Sequence, residues 1–119
     1  MGVDPELISL FRSEFELCKV AHGETLAVLT HEQSRADYAE ASLIAADALG
    51  ATAFQLNLRT PSAQPGSTTK TTALTGNRAA IEALKSADIV IDLVGLLWSA
   101  EQDEITAAGT RMLMIKEPA

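Results

Sequence analysis

The side chains with chemical potential in this sequence are few and far apart: two histidines, one cysteine and one tryptophan. His31-Glu32 directly follows an apolar run, so a strand would deliver the pair to its carboxyl end. An imidazole there could ligate a metal or move a proton at neutral pH. Neighbours on an extended chain point to opposite faces, however, so His31 and Glu32 do not converge on one ion. His31 is therefore expected as a polar loop histidine within reach of a ligand, and His22 lies on the other side of the same run. Asp88 and Asp92 bracket the most aliphatic segment. Paired carboxylates suit acid–base work, but an Asp that opens a strand is ordinarily a turn or edge residue. Cys18 has no second cysteine to pair with and reads as a small buried thiol. Trp98, preceded by Leu97, carries a large amphipathic ring that could stack on a planar ligand or seal a subunit interface. Thr75-Gly76-Asn77 adds a hydroxyl and an amide. The candidate substrate contacts are thus His31, Thr75, Asn77, Leu97 and Trp98, with no catalytic residue and no metal ligand assigned.

Several familiar chemistries lack their residues. No GxGxxG follows the first apolar run and no GxxxxGK[ST] occurs, so neither nucleotide-binding fingerprint is present. Gly66-Ser67-Thr68-Thr69-Lys70 lacks the first glycine of a phosphate loop and reads as solvated chain. A phosphoacceptor receiver domain would place an acidic pair after its first strand, whereas Thr30-His31-Glu32 offers one carboxylate. No GxSxG elbow supports a serine nucleophile.

The elements that must position these residues are legible from caps and periodicity. Asp4-Pro5 opens a helix, because Asp caps well and the missing proline N–H would be unpaired there anyway. Leu7, Phe11, Phe15 and Cys18 follow at helical spacing, and Gly23 lies beyond its end. Residues 25–30 form a nearly continuous apolar run, the pattern of a strand buried on both faces. Ser34-Arg35-Ala36-Asp37 begins a second helix running to about Leu49, with Tyr38, Ala41, Ala45, Ala48 and Leu49 on one side and Gly50 as its stop. Residues 51–58 read as the next strand. Residues 59–73 (RTPSAQPGSTTKTTA) have neither hydrophobic period and predict a long, exposed, mobile loop. Asn77 caps a third helix carrying Ala80, Ile81, Ala83, Leu84 and Ala87. Residues 88–94 are the clearest strand. Gly95 to Trp98 forms a turn, Ser99 caps a short helix stopped by Gly109, and residues 111–115 form the last strand.

Each crossover between strands contains a helix, so the strands should be parallel and the connections right-handed. That predicts a three-layer α/β/α sandwich with a four-stranded parallel, Rossmann-like (flavodoxin-like) sheet. Ligands of such sheets bind beyond the carboxyl ends of the strands. The places to look are His31-Glu32, residues 59–77, residues 95–99 and Lys116-Glu117. With the third strand near the middle of the sheet, Leu96, Leu97 and Trp98 would form the rim of that crevice.

At 119 residues and 47% hydrophobic content, the sequence suits a single α/β domain over residues 1–119. The net charge is −7 and the basic residues are scattered singly, which argues against nucleic acid or an anionic membrane as partner. No apolar run approaches the roughly 18 residues of a membrane span, and the amino terminus lacks the pattern of a secretory signal. A reducing, cytoplasmic setting is expected from the single cysteine.

The segment ALTGNRAAIEALKSADIVIDLVGLLWSAEQDEITAAGTRMLMIKEP resembles the N-terminal domain of the 2,5-dihydroxypyridine 5,6-dioxygenases, which belong with the leucyl aminopeptidase-like proteins of the aminopeptidase T superfamily. The carrying features are LTGN, a helix ending at Ala87-Asp88, an aliphatic strand, Leu-Leu followed by Ser99 and Glu101-Gln102, a Gly-Thr-Arg turn and a Glu117-Pro118 ending. Upstream the likeness holds in element order and apolar runs. The resemblance implies part of a non-haem Fe(II) enzyme that opens a dihydroxylated pyridine ring with O₂, with a small aromatic substrate, O₂ and further copies in a homo-oligomer as its partners. It places the iron on His and carboxylate ligands of a larger C-terminal domain, so this chain alone is expected neither to hold iron nor to turn over. After the Leu-Leu pair the family carries an acid–base histidine, where this sequence has Trp98. An indole N–H donates but exchanges no proton at neutral pH, so this position does not supply the family's acid–base step, and a different aromatic substrate or a different reaction on the same scaffold stays open. Two other readings stay open: a metallo-aminopeptidase-like hydrolase and a non-catalytic α/β interaction domain.

Overall fold

The computed structural model describes residues 4–59, 74–96 and 99–115. The order is α1 (Pro5–Leu17), β1 (Thr25–His31), α2 (Ala36–Ala48), β2 (Thr52–Leu58), α3 (Arg78–Lys85), β3 (Ile89–Asp92), α4 (Ala100–Ala107) and β4 (Arg111–Met114). Three helices start on side-chain caps. The Asp4 carboxylate accepts from the Glu6 N–H, Asn77 Oδ1 from the Ala80 N–H and Ser99 Oγ from the Gln102 N–H. Helix α2 differs. Arg35 occupies its N-cap, and its side chain makes no capping bond to the backbone of the first turn. Ser34 is turned away from it, donating to the Leu93 carbonyl at 3.2 Å.

The strands form one parallel sheet in the order β2-β1-β3-β4. Alternation along the strands splits the core in two. Leu26, Val28, Ile89 and Ile91 pack with Phe11 and Phe15 of α1 and the alanines of α2, whereas Ala27, Leu29 and Val90 pack with Ile81 and Leu84 of α3 and Ile105 of α4. The α/β/α sandwich with a Rossmann-like sheet is thus the architecture. Phe11 lies edge-on to Tyr38, with ring centroids 5.6 Å apart.

The details that differ have local causes. In α2 the buried positions are Ala39, Ala41, Ser42, Ala45 and Ala46, while Ala48 is exposed. Ser42 is accommodated because its hydroxyl donates to the Tyr38 carbonyl at 2.8 Å. Strand β3 is shorter than its aliphatic run, since the Asp92 carboxylate pulls the following backbone into a turn. Cys18 is half-buried. Leu96 is fully buried in the core under α3 and α4, so it does not belong to an open rim. The expected loop over residues 60–73, Leu97, Trp98 and residues 116–119 lie outside the described residues. No helix among the described residues is long and apolar enough to cross a membrane.

Candidate functional site

The chain leaves β1 toward β2 on one side, then returns to place β3 on β1's other side. This reversal opens a crevice beyond the carboxyl ends of β1 and β3, where ligands of parallel sheets bind. His31 ends β1 there, half-buried. Its ring Nδ1 accepts the Gln33 N–H at 2.9 Å, so the neutral imidazole carries its proton on Nε2. The His31 N–H donates to Ser34 Oγ at 3.0 Å, and that hydroxyl donates onward to the Leu93 carbonyl beyond β3. Ser34 therefore straps the two strand ends together across the crevice.

Asp92 closes the other side. It is wholly buried, and its carboxylate accepts three backbone N–H groups: Val94 and Gly95 on Oδ1, both at 2.9 Å, and Leu96 on Oδ2 at 2.7 Å. An anion in such a cradle of backbone donors needs no cationic side chain beside it. Gly95 sits in the turn with φ +87, a conformation costly for any residue with a Cβ. Sequence reasoning treated Asp92 as a strand-end residue. The signal that could have found its role is an Asp followed three residues later by Gly at the end of a buried parallel strand.

Beside β1, Thr30 is buried and donates to Asn57 Oδ1 of β2 at 2.7 Å, while Gln55 Nε2 donates to the Thr30 hydroxyl at 3.1 Å. At the start of α2, Arg35 forks onto Asp37 with bonds of 3.1 and 2.7 Å and stacks over the Tyr38 ring at 4.2 Å. The Arg35 hydrogen bond holds the Asp37 carboxyl below its ordinary range.

The other candidate residues are spread out. Asn77 Oδ1 is occupied as the cap of α3. Thr75 is exposed, and its hydroxyl donates to Glu101 Oε1 at 2.7 Å, joining the entry to α3 with the first turn of α4. Glu104 binds Arg78 through both oxygens, at 2.7 and 2.6 Å, and Lys85 at 3.2 Å. Arg78 first and Lys85 second depress the Glu104 carboxyl to about 2, and this network clamps α3 to α4. Asp88 accepts the Thr25 N–H at 2.8 Å at the amino ends of the strands, away from the crevice. Among the described residues no three His, Cys, Asp or Glu side chains converge to hold a metal ion.

A four-stranded parallel α/β sheet with its switch point between β1 and β3 defines a Rossmann-like domain. The sequence model of the 2,5-dihydroxypyridine 5,6-dioxygenase family matches residues 6–119, and the chain belongs to that family. It is 36% identical over 119 residues to the 2,5-dihydroxypyridine 5,6-dioxygenase of Pseudomonas putida KT2440, covering 95% of this chain and 34% of that protein. The solved structure of 2,5-dihydroxypyridine dioxygenase from the same organism superposes with a TM-score of 0.86 at 34% identity, over 94% of this chain and 34% of that one. The chain thus spans about a third of the length of these relatives.

Proposed function

We propose that this chain is the N-terminal α/β domain of a cytoplasmic, homo-oligomeric dioxygenase that opens the ring of a hydroxylated N-heteroaromatic such as 2,5-dihydroxypyridine. The observation that carries this reading is the family match over residues 6–119 together with the fold-level superposition on the Pseudomonas putida enzyme. In the proposed reaction one O₂ is consumed per ring opened. The bond between ring carbons 5 and 6 breaks, and both oxygen atoms enter the product.

The described residues do not fit an iron site, since no three ligating side chains meet. Following the family resemblance, Fe(II) is assigned to His and carboxylate ligands of the longer protein's C-terminal domain, and this domain's part is substrate handling. With Nδ1 taken by the Gln33 N–H, His31 is assigned its Nε2–H as a single donor to a ring oxygen of the substrate. Leu97 and Trp98 are assigned to an apolar wall that a planar ring could lie against. Thr75 and Asn77, at the entry to α3, are assigned to the rim of the pocket.

The test is anaerobic titration of 2,5-dihydroxypyridine into the protein expressed from the complete reading frame that encodes this chain, followed by ¹⁵N NMR of the histidine side chains. A saturable shift of His31 Nε2 is expected. Saturable binding that leaves His31 untouched would remove it from the site, and absence of binding would overturn the substrate assignment.

A further inference from the structure

The two edges of the sheet are built differently. On β2 the exposed positions are Thr52, Gln55 and Asn57, all polar, as suits an edge facing water. On β4 the side chains after Arg111 are Met112, Leu113 and Met114, and none is fully buried, although adjacent β3 is buried at every position. Beside this apolar edge, Leu7, Leu10 and Phe11 of α1, Tyr38 of α2, and Leu113 and Ile115 line a groove of about 280 Å³. Glu14 is the one charged residue among the described residues along it. Leu10 is 57% exposed and Met114, also on the groove, 41%. Helix α1 runs into β1 from its far side, so its first turns, the start of α2 and the end of β4 all lie toward the carboxyl edge of the sheet that bears the crevice.

We propose that this α1–β4 groove is the docking surface for the polypeptide that makes up the other two-thirds of the dioxygenases, a proposal that rests on the functional reading above. Relatives of this chain are about three times its length, since it covers 34% of them. A domain of that size must cover some face of this one, and contiguous apolar surface marks the face. Among the described residues, the β4 edge brings half-buried Leu113 and exposed Met114 up to this groove, and its position sets the second domain beside the crevice. The lining selects the contact: one or two aliphatic or aromatic side chains enter between Leu10 and Leu113, with a basic residue placed against Glu14. Such a contact resembles the interface between domains of one chain, apolar at its centre and polar at its margin.

The test is hydroxyl-radical footprinting of the 119-residue chain and of the protein from the complete reading frame, read at Leu10 with Leu17 as control. Leu17 belongs to the same helix, is 77% exposed and lies off the groove. The expected result is a drop of about tenfold in the Leu10 modification rate in the complete protein, independent of concentration, with Leu17 changing less than about twofold. Equal Leu10 rates in the two proteins would overturn the proposal. So would protection that appears in the 119-residue chain as concentration rises, which would assign the groove to a second copy. A complete reading frame no longer than this chain would overturn it too. Oxygen uptake with 2,5-dihydroxypyridine, measured on the same sample, separates the two readings. Protection of Leu10 without turnover leaves docking intact and removes the dioxygenase assignment, whereas turnover with Leu10 fully labelled does the reverse.

Discussion

Asp92→Asn should destabilise this domain far more than its near-isosteric shape suggests. The wholly buried carboxylate accepts from Val94 and Gly95 on one oxygen, in part-buried bonds, and from Leu96 on the other, in a buried one. The amide keeps one acceptor oxygen for the first two donors and turns an NH₂ toward the Leu96 N–H. One charge-assisted bond, worth about 1.5–3 kcal/mol, is lost, and a buried donor is left unpaired at a further ~1–3 kcal/mol. Removing the buried charge returns part of this, because an amide costs less to desolvate than an ionised carboxylate. The net expectation is about 2–3 kcal/mol, against the ~5–15 kcal/mol of a whole domain. With a urea slope of about 1.5 kcal/mol per molar, the unfolding midpoint followed by far-UV circular dichroism should fall by roughly 1.5–2 M. Asp88→Asn is the matched control, since that carboxylate is exposed and caps a single N–H, and it should cost under about 1 kcal/mol. Equal midpoints for the two variants would refute the role given to the Asp92 cradle.

Glu104 is held near 2 against an ordinary 4.5 by Arg78 and Lys85, so its clamp is fully present above the ordinary value and is lost as pH falls through about 2. Acid unfolding of the native chain should therefore steepen between those two values, and Glu104→Gln should flatten that limb in a pH series of denaturant midpoints. At the crevice, His31→Asn keeps the acceptor for the Gln33 N–H and loses the outward donor, while His31→Gln does the opposite. In the protein from the complete reading frame, Asn should raise KM for 2,5-dihydroxypyridine by about tenfold, the equivalent of one hydrogen bond of ~1.4 kcal/mol, and Gln should stay close to wild type; the reverse order in steady-state kinetics would make His31 structural. Gly50 has φ +79, and a Cβ there would stand 2.3 Å from Cδ2 of exposed His22. Gly50→Ala should cost about 1–2 kcal/mol from the left-handed backbone, a loss that His22→Ala does not rescue because the ring can swing aside; thermal melts of the single and double variants check this.

The helices were legible because their ends carry local chemistry. Asp4, Asn77 and Ser99 cap as their residue types predict, and Gly50 and Gly109 take the left-handed conformation that a helix stop requires. The strands were legible because burial on both faces leaves continuous aliphatic runs. Their spatial order was not, since pairing between β1 and β3 depends on contacts some sixty residues apart, such as Leu26 with Ile89. The site was harder for the same reason. Ser34 resembles a helix cap in sequence, yet its hydroxyl is used across the crevice by Leu93. Asp92 looks like the polar end of a strand, and only the folded turn brings three N–H groups onto it. Leu96 looks like part of an exposed apolar loop, but that same turn drives it into the core under α3 and α4. Periodicity records which face a residue occupies on a regular element and carries no such information where the backbone turns.

The central claim is that this domain serves a ring-opening dioxygenase, and oxygen stoichiometry tests it most directly. The protein from the complete reading frame, loaded with Fe(II), should consume 2,5-dihydroxypyridine or a close hydroxylated N-heteroaromatic together with O₂ in a one-to-one ratio, with label from ¹⁸O₂ appearing twice in the ring-opened product. Folded, iron-loaded protein that leaves both the ring and the oxygen unconsumed, or that incorporates a single labelled atom, would contradict it.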